Sequence, residues 1–224
     1  MRYSIIIPTL NEAGQIAHAI AQARALGDVE IIVVDGGSND ETLSASLGAD
    51  QVLTAERGRA AQQNAGAAAS RGDVLLFLHA DCWLGPGALE QMASALAESG
   101  CVGGYFRQAI EAAGRRFRWL ERGNALRAGL LGLPYGDQGI FARREIFNKL
   151  GGFPPLALME DLYFMKRLRR EGSLARVAGP LHVSARRWEK HGVVRQTARN
   201  WCITLLAQLG FSPNRLSRFY PDVR

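Results

Sequence analysis

Residues 74–82 read VLLFLHADC. Val74 opens five consecutive apolar residues that run directly into His79, Ala80 and Asp81. A short continuous apolar run bounded by turn-forming residues is the pattern of a strand covered on both faces, as in parallel sheets. Ligands in such sheets bind at the carboxyl ends of the strands. A histidine and an aspartate at this end therefore mark either a site or a plain turn, and the neighbouring strands must decide between them.

Working outward, residues 3–7 (YSIII) form a β-branched run that Pro8 is expected to stop, and residues 29–34 (VEIIVV) form a second run ending at Asp35, Gly36, Gly37 and Ser38. Residues 51–53 read as a third, shorter strand. Helical patterns alternate with these strands. Ile16, Ile20 and Ala23 share one face after Asn11, residues 39–42 open a second helix, residues 59–70 are alanine-rich, and residues 86–98 form another. Strand and helix in alternation predict an α/β fold around a largely parallel sheet. Residues 8–12, 35–38 and 79–81 then lie together on one rim, which favours the site reading of Asp81.

The second half differs in character. Residues 100–104 (GCVGG) lead to Tyr105 and Phe106, expected as an edge strand. Residues 114–133 are helical, with Arg115, Arg116, Arg118, Arg122 and Arg127 interleaved with Phe117, Trp119, Leu120 and Leu126. Residues 135–139 form a turn before Ile140 and Phe141. Residues 156–170 are helical with Glu160 and Asp161 at the start, and residues 193–209 form a last helix carrying Val194, Ala198, Trp201 and Leu205. No repeat, low-complexity segment or linker divides the 224 residues, so a single domain over 1–224 is expected.

Composition narrows the function classes. The chain is 47% hydrophobic and 21% charged, as ordinary globular proteins are. Of its 27 basic residues only Lys149, Lys166 and Lys190 are lysines. The planar arginine fork suits phosphates, although biased composition explains the excess equally well. No helix-turn-helix, zinc-finger or RNA-binding signature accompanies the charge, so nucleic acid is not expected as a partner. Cys82, Cys101 and Cys202 form neither a disulfide framework nor a zinc pattern, which fits a reducing cytoplasm. The first apolar run is too short for a signal peptide, and no run approaches the ~20 residues of a membrane span.

Seven stretches occur in a telling order: SIIIPTLNEA (4–13), IIVVDGGSNDET (31–42), GRAAQQNAGAAAS (58–70), LLFLHADC (75–82), GDQGIF (136–141), MEDLYF (159–164) and ARRW (185–188). Together they resemble the inverting, nucleotide-sugar-dependent glycosyltransferases of the GT-A fold called family two, and most closely a compact, soluble bacterial subgroup. The resemblance implies a GT-A-type, Rossmann-like three-layer α/β/α sandwich with a mostly parallel central sheet. It implies a nucleotide-binding half over 1–100, an acceptor and catalytic half over 101–192, and a C-terminal helical segment over 193–224.

It also assigns roles. Pro8 and Thr9 lie where the nucleotide's base and ribose would bind, with Glu12 and Asp35 as hydrogen-bond acceptors for them; Asn11 and Asp35 serve equally as caps for turn amides. Arg59, at a helix start, would face the phosphates, where free amides and the helix dipole already favour anions. His79-Ala80-Asp81 occupies the place of the family's Asp-Xaa-Asp. Asp81 matches the ligand of a divalent cation, Mg²⁺ or Mn²⁺, whereas His79 departs from the commoner acid and is expected to contact the donor. Asp161 matches the catalytic base, with Glu160 as the alternative. Asp137 and Gln138 would hold sugar or acceptor hydroxyls. Arg187 would reach the diphosphate, and Trp188 would stack on a sugar ring or the acceptor. Ser184 replaces the glutamine of the processive synthases, which weakens that reading. His182 and His191 are further candidate metal ligands.

The expected reaction moves a sugar from a UDP- or GDP-sugar to an acceptor hydroxyl. A lipid-linked acceptor is left open, as are contact of residues 115–127 with the inner face of an anionic membrane and a homodimer through the terminal helix. Two rivals remain. A nucleotidyltransferase would be expected to carry a glycine-rich basic loop after the first strand, where this chain has PTLNEAG. A non-catalytic nucleotide-sugar-binding protein would keep the pocket and lack turnover. A dinucleotide-dependent dehydrogenase is disfavoured, because no GxGxxG follows the first strand.

Overall fold

A computed structural model describes residues 1–131, 134 and 136–217, with the side chains of Arg127, Leu130, Leu131, Arg187 and His191 left outside the description. Eight strands form one sheet: β1 (Tyr3–Thr9), β2 (Val29–Asp35), β3 (Gln51–Thr54), β4 (Val74–Phe77), β5 (Cys82–Leu84), β6 (Cys101–Glu111), β7 (Ile140–Arg143) and β8 (Ser173–Ser184). Their order is β3-β2-β1-β4-β7-β6-β8-β5. The β1–β2, β1–β4, β2–β3 and β6–β8 pairings are parallel, and β4–β7, β6–β7 and β5–β8 are antiparallel. Between the strands lie α1 (Ala13–Arg24), α2 (Thr42–Ala45), α3 (Arg59–Ala69), α4 (Ala88–Ala97), α5 (Arg115–Leu131), α6 (Arg144–Lys149), α7 (Glu160–Leu168), α8 (Arg186–His191), α9 (Val193–Gln208) and α10 (Pro213–Leu216).

The period-two alternation of the strands separates two cores. Ile5, Ile7, Ile31, Val33, Leu76 and Leu78 pack on one face with Ile16 and Ile20 of α1 and Met92 and Leu96 of α4. Ile6, Ile32, Val34, Leu75 and Phe77 pack on the other with Ala60 and Ala67 of α3, Phe147 of α6 and Phe164 of α7. The result is the three-layer α/β/α sandwich the sequence implied. Gly66 lets α3 rest directly on the sheet: a Cβ there would stand 2.6 Å from Ile6 Cγ2 and 3.0 Å from Val34 Cγ2.

Several expectations need correction. Pro8 does not stop β1 but sits within it opposite Val34; pairing with β4 ends at Ile6, so beyond it the strand has a ladder on one side only and accommodates a proline. Residues 101–106 are not an edge strand, because β6 lies between β7 and β8. The helix expected from residue 156 begins only at Glu160, after Pro154, Pro155 and a left-handed Met159. β5, β8 and α6 were not anticipated.

Candidate active site

The carboxyl ends of β1, β2 and β4 form the rim. Asp35 closes β2 and is 1% exposed. Its Oδ2 accepts hydrogen bonds from the amides of Gly37 (2.8 Å) and Ser38 (2.9 Å), and its Oδ1 accepts from the hydroxyls of Ser38 (2.5 Å) and Thr9 (3.4 Å). The carboxylate thus holds the turn together, as the capping alternative expected, and little of it faces solvent. Asn11 adopts a left-handed conformation (φ 53°), which asparagine tolerates, and is clasped by the Ser38 hydroxyl and the Asn39 amide. Gln62, which the sequence reading passed over, is buried on α3 and donates to the strand-end carbonyls of Thr9 and Val34, both at 2.7 Å.

Glu12 is buried, and its Oε2 accepts from the guanidinium of Arg186 at 2.9 Å. The expected arginine of the ARRW stretch was Arg187, whose side chain falls outside the described residues, as does that of His191. The neighbouring Arg186 bridges α8 to the start of α1, some 174 positions away in the chain.

A small cleft, open to solvent, brings several elements together beside this rim. Arg59 enters from the first residue of α3, His79 from the end of β4, Gly136 and Asp137 from the 3₁₀ turn Gly136–Gln138, and Met159 and Asp161 from the start of α7. Asn200, Ile203 and Thr204 of α9 form the remaining wall. Gly136 is the point of closest approach. A Cβ on it would lie 3.0 Å from Asp161 Oδ2 and 3.2 Å from His79 Nε2, so these two side chains meet across a single glycine.

Asp161 is fixed at both oxygens. Oδ2 accepts from the Gly136 amide and Oδ1 from the Leu162 amide at 2.6 Å. A carboxylate has about four lone-pair positions, so each oxygen keeps one for an incoming hydroxyl. Met159 precedes this helix with φ 66°, a left-handed conformation that costs a non-glycine residue on the order of 1–3 kcal/mol. Its side chain anchors it among Leu158, Leu162, Ile203 and Ala207, so packing between α7 and α9 supports the strained turn that presents Asp161. Glu160, the alternative base, is 2% exposed and does not line the cleft.

Asp137 is held by a relay in which Asn124 Nδ2 donates to Gln108 Oε1 (2.8 Å) and Gln108 Nε2 donates to Asp137 Oδ2 (3.1 Å). Gln138 is buried behind it. Trp188 does not offer its ring for stacking: it is 6% exposed, packed in the same core as Phe117 and Val183. It lines a small cavity with Asp137, Thr197 and Asn200.

Asp81 follows His79 by two residues and is half-buried, with its carbonyl accepting from the Ser184 amide at 3.1 Å. It does not itself line the cleft. Among the described residues no group of three or more His, Cys, Asp and Glu side chains is assembled for a metal. His182 stacks on Trp83 (centroids 5.6 Å apart, planes within 7°), with Nδ1 2.5 Å from Glu111 Oε1. A lone strand-end carboxylate fits a hard cation whose other ligands are phosphate oxygens and water, and does not fit an all-protein site.

The wall from α9 was missed in the sequence. Its signal was present: Thr197, Asn200 and Thr204 recur at helical spacing as a polar row, about a quarter-turn from the apolar row of Val194, Trp201 and Leu205.

The fold is that of GT-A glycosyltransferases. Residues 4–151 match the model of the family described as glycosyl transferase family 2, and the chain belongs to that family. It is 31% identical over 113 residues to an uncharacterized glycosyltransferase of Nostoc sp., covering 46% of this chain and 35% of that protein. It is 37% identical over 89 residues to a PGL/p-HBAD biosynthesis glycosyltransferase of Mycobacterium bovis, covering 35% of each. The chain thus spans 35% of the length of both relatives. Among solved structures, a mannosyltransferase from Pyrobaculum calidifontis in complex with GDP-Man and Mn²⁺ superposes with a TM-score of 0.63 at 22% identity, over 80% of this chain and 56% of that one. Staphylococcus aureus TarS in complex with UDP-GlcNAc gives 0.61 at 16%, over 82% and 58%. These two establish the fold alone.

Proposed function

We propose that the protein is an inverting glycosyltransferase that moves a sugar from a nucleotide-sugar, a UDP- or GDP-sugar, to an acceptor hydroxyl. The observation that carries this reading is the approach of His79 and Asp161 to each other across Gly136, in one cleft that Arg59 also lines at the carboxyl rim of the sheet. Residues 1–100 bind the nucleotide, the following half supplies acceptor contacts and the base, and residues 193–224 append the helical segment whose α9 walls the cleft. Family relatives and neighbours crystallised with nucleotide-sugars support the class of donor.

Asp161 takes the proton of the acceptor hydroxyl as its oxygen attacks the anomeric carbon. The bond from that carbon to the diphosphate oxygen breaks on the opposite face, and the electron pair leaves on the diphosphate. The two backbone amides hold the carboxylate in one orientation, so no reorganisation is needed at the moment of transfer. Arg59 and the free amides at the start of α3 receive the negative phosphates. His79 contacts the donor from the β4 side. A divalent cation, Mg²⁺ or Mn²⁺, would be held by Asp81 with the donor's own phosphate oxygens, and when bound it neutralises charge on the departing group. The three unpaired thiols support a reducing cytoplasm as the setting.

Asp161→Asn tests the reading. Binding of UDP- or GDP-sugars, followed by calorimetry with Mn²⁺ present, should persist while transfer or donor hydrolysis falls by about 10²–10⁴. Wild-type turnover in this variant would refute the assignment. Absence of turnover in the parent with every donor bound would favour a binding protein, and pyrophosphate release from a nucleoside triphosphate and a sugar phosphate would favour a nucleotidyltransferase.

A further inference from the structure

α9 presents two different faces. Asn200, Ile203 and Thr204 point into the cleft, whereas Val194 (83% exposed), Trp201 (47%), Leu205 (60%) and Leu209 (68%) point outward at heptad-like spacing. No charged residue interrupts that outward row, and α9 contains no acid at all. Phe211, 56% exposed, extends the row beyond the helix.

α5 packs beside α9 and continues the surface. It buries Phe117, Leu120, Asn124 and Ala128 and turns out Arg115, Arg116, Trp119, Arg122 and Leu126. The two rows join at Gly123, whose missing side chain admits Trp201: a Cβ there would stand 3.4 Å from Trp201 Cζ2. Trp119 and Leu126 flank that contact along α5, and the Arg122 guanidinium lies 5.7 Å from the Trp119 ring centroid. Of the ten large hydrophobic residues exposed among the described ones, seven belong to this one surface.

Charge says what covers it. On this surface α5 turns out Arg115, Arg116 and Arg122, and α9 carries no acid to offset them. A second copy packed on the same surface about a two-fold axis would bring together two surfaces of the same positive sign. An anionic lipid surface accepts those arginines at its headgroups and takes the aliphatic and tryptophan side chains into its interfacial zone.

We propose that the α5–α9 surface docks the protein peripherally on an anionic membrane. α9 would lie in the interface plane, along about 24 Å at 1.5 Å per residue. Because its inner face walls the cleft, docking sets the cleft within about one helix diameter, ~10 Å, of the lipid headgroups. An acceptor anchored in that membrane would then be within reach; this last point rests on the proposed reaction, whereas the docking does not.

The test is flotation of the full chain with phosphatidylcholine vesicles containing phosphatidylglycerol, against vesicles of phosphatidylcholine alone. The parent should float with the anionic vesicles and be released by salt. Arg115→Gln, Arg116→Gln and Arg122→Gln together should weaken partitioning by about a hundredfold, at about fivefold for each arginine. Leu205→Ser with Leu209→Ser should abolish flotation and keep the melting temperature, since both side chains are exposed. Donor binding in vesicle-free buffer should be unchanged in all variants, which separates failure of docking from failure of the cleft assignment. A parent that ignores anionic vesicles at low salt would overturn the proposal. So would a concentration-dependent dimer that the leucine variants dissociate and that does not float.

Discussion

Gly136→Ala is the sharpest probe of the cleft. Gly136 is outside the left-handed region, so alanine imposes no backbone strain, and the Gly136 amide remains free to donate to Asp161. The added methyl would stand 3.0 Å from Asp161 Oδ2, 3.2 Å from His79 Nε2 and 3.6 Å from Asp161 Cβ. Carbon and oxygen do not rest at 3.0 Å, so the carboxylate or the imidazole must yield by a few tenths of an ångström. Overpacking of this kind typically costs about 1–3 kcal/mol. If that cost falls on the productive arrangement, turnover drops by about 5- to 150-fold at ~1.4 kcal/mol per factor of ten. The assay is steady-state transfer, with donor affinity and melting temperature measured alongside. The expected pattern is a lowered kcat with an intact fold; a change in donor Kd would report displacement of His79, which contacts the donor in the proposed reaction, and a pure kcat effect displacement of Asp161. An unchanged kcat would refute the claim that Asp161 and His79 act across Gly136.

Other consequences can be checked separately. Gly66→Ala would gain up to about 1 kcal/mol on an isolated helix, but here the methyl meets Ile6 and Val34, so urea denaturation should show a loss of about 1–2 kcal/mol. EDTA should stop transfer and excess Mg²⁺ or Mn²⁺ restore it, while Asp81→Asn should lower transfer by about 10² or more, the several kcal/mol a cation supplies in a typical site; full activity in EDTA would exclude that role. Burial opposes ionisation of Asp50, but hydrogen bonds from the Ile31 amide and Arg24 outweigh it and leave its carboxyl below the ordinary value. A depressed folded value means its stabilisation is present above the unfolded pKa of about 3.9 and is lost as pH falls through the folded one, so denaturation midpoints of Asp50→Asn should decline less on acidification than those of the parent.

The legible part of the fold was the part buried on both faces. β1, β2 and β4 are continuous apolar runs because helices cover them above and below, and their ends gave the rim. β8 gave no such signal: it contains Gly179 and Pro180, only Val177, Leu181 and Val183 are buried, and β5 pairs with it only from Leu181 to Val183. Without a strand signal at β8, β6 reads as an edge. The site divides in the same way. Asp161, His79 and Arg59, which line one cleft, each stand at or near the start or end of an element with a recognisable pattern. The pairing of Arg186 with buried Glu12 was not legible, since adjacent helical residues differ by about 100° in direction and nothing local in the sequence marks a partner 174 positions away. Asp35 illustrates the converse limit: turn amides and ribose hydroxyls both call for a carboxylate, and composition does not separate them.

The short β4–β7 ladder acts as a ruler. Antiparallel neighbours set the exit of one strand beside the entrance of the other, so the segment leaving β4 with His79 and the segment entering β7 from Gly136 emerge side by side, although 57 positions of chain lie between those two residues. Four rungs, from Val74 opposite Arg143 to Phe77 opposite Ile140, are all that calibrate their spacing. A slip of one register period would carry Gly136 about 7 Å along the strand axis, far beyond hydrogen-bonding reach of its partner. Substitutions at these four rungs, remote from any reacting atom, are therefore positioned to detune the chemistry without disturbing either half of the molecule on its own.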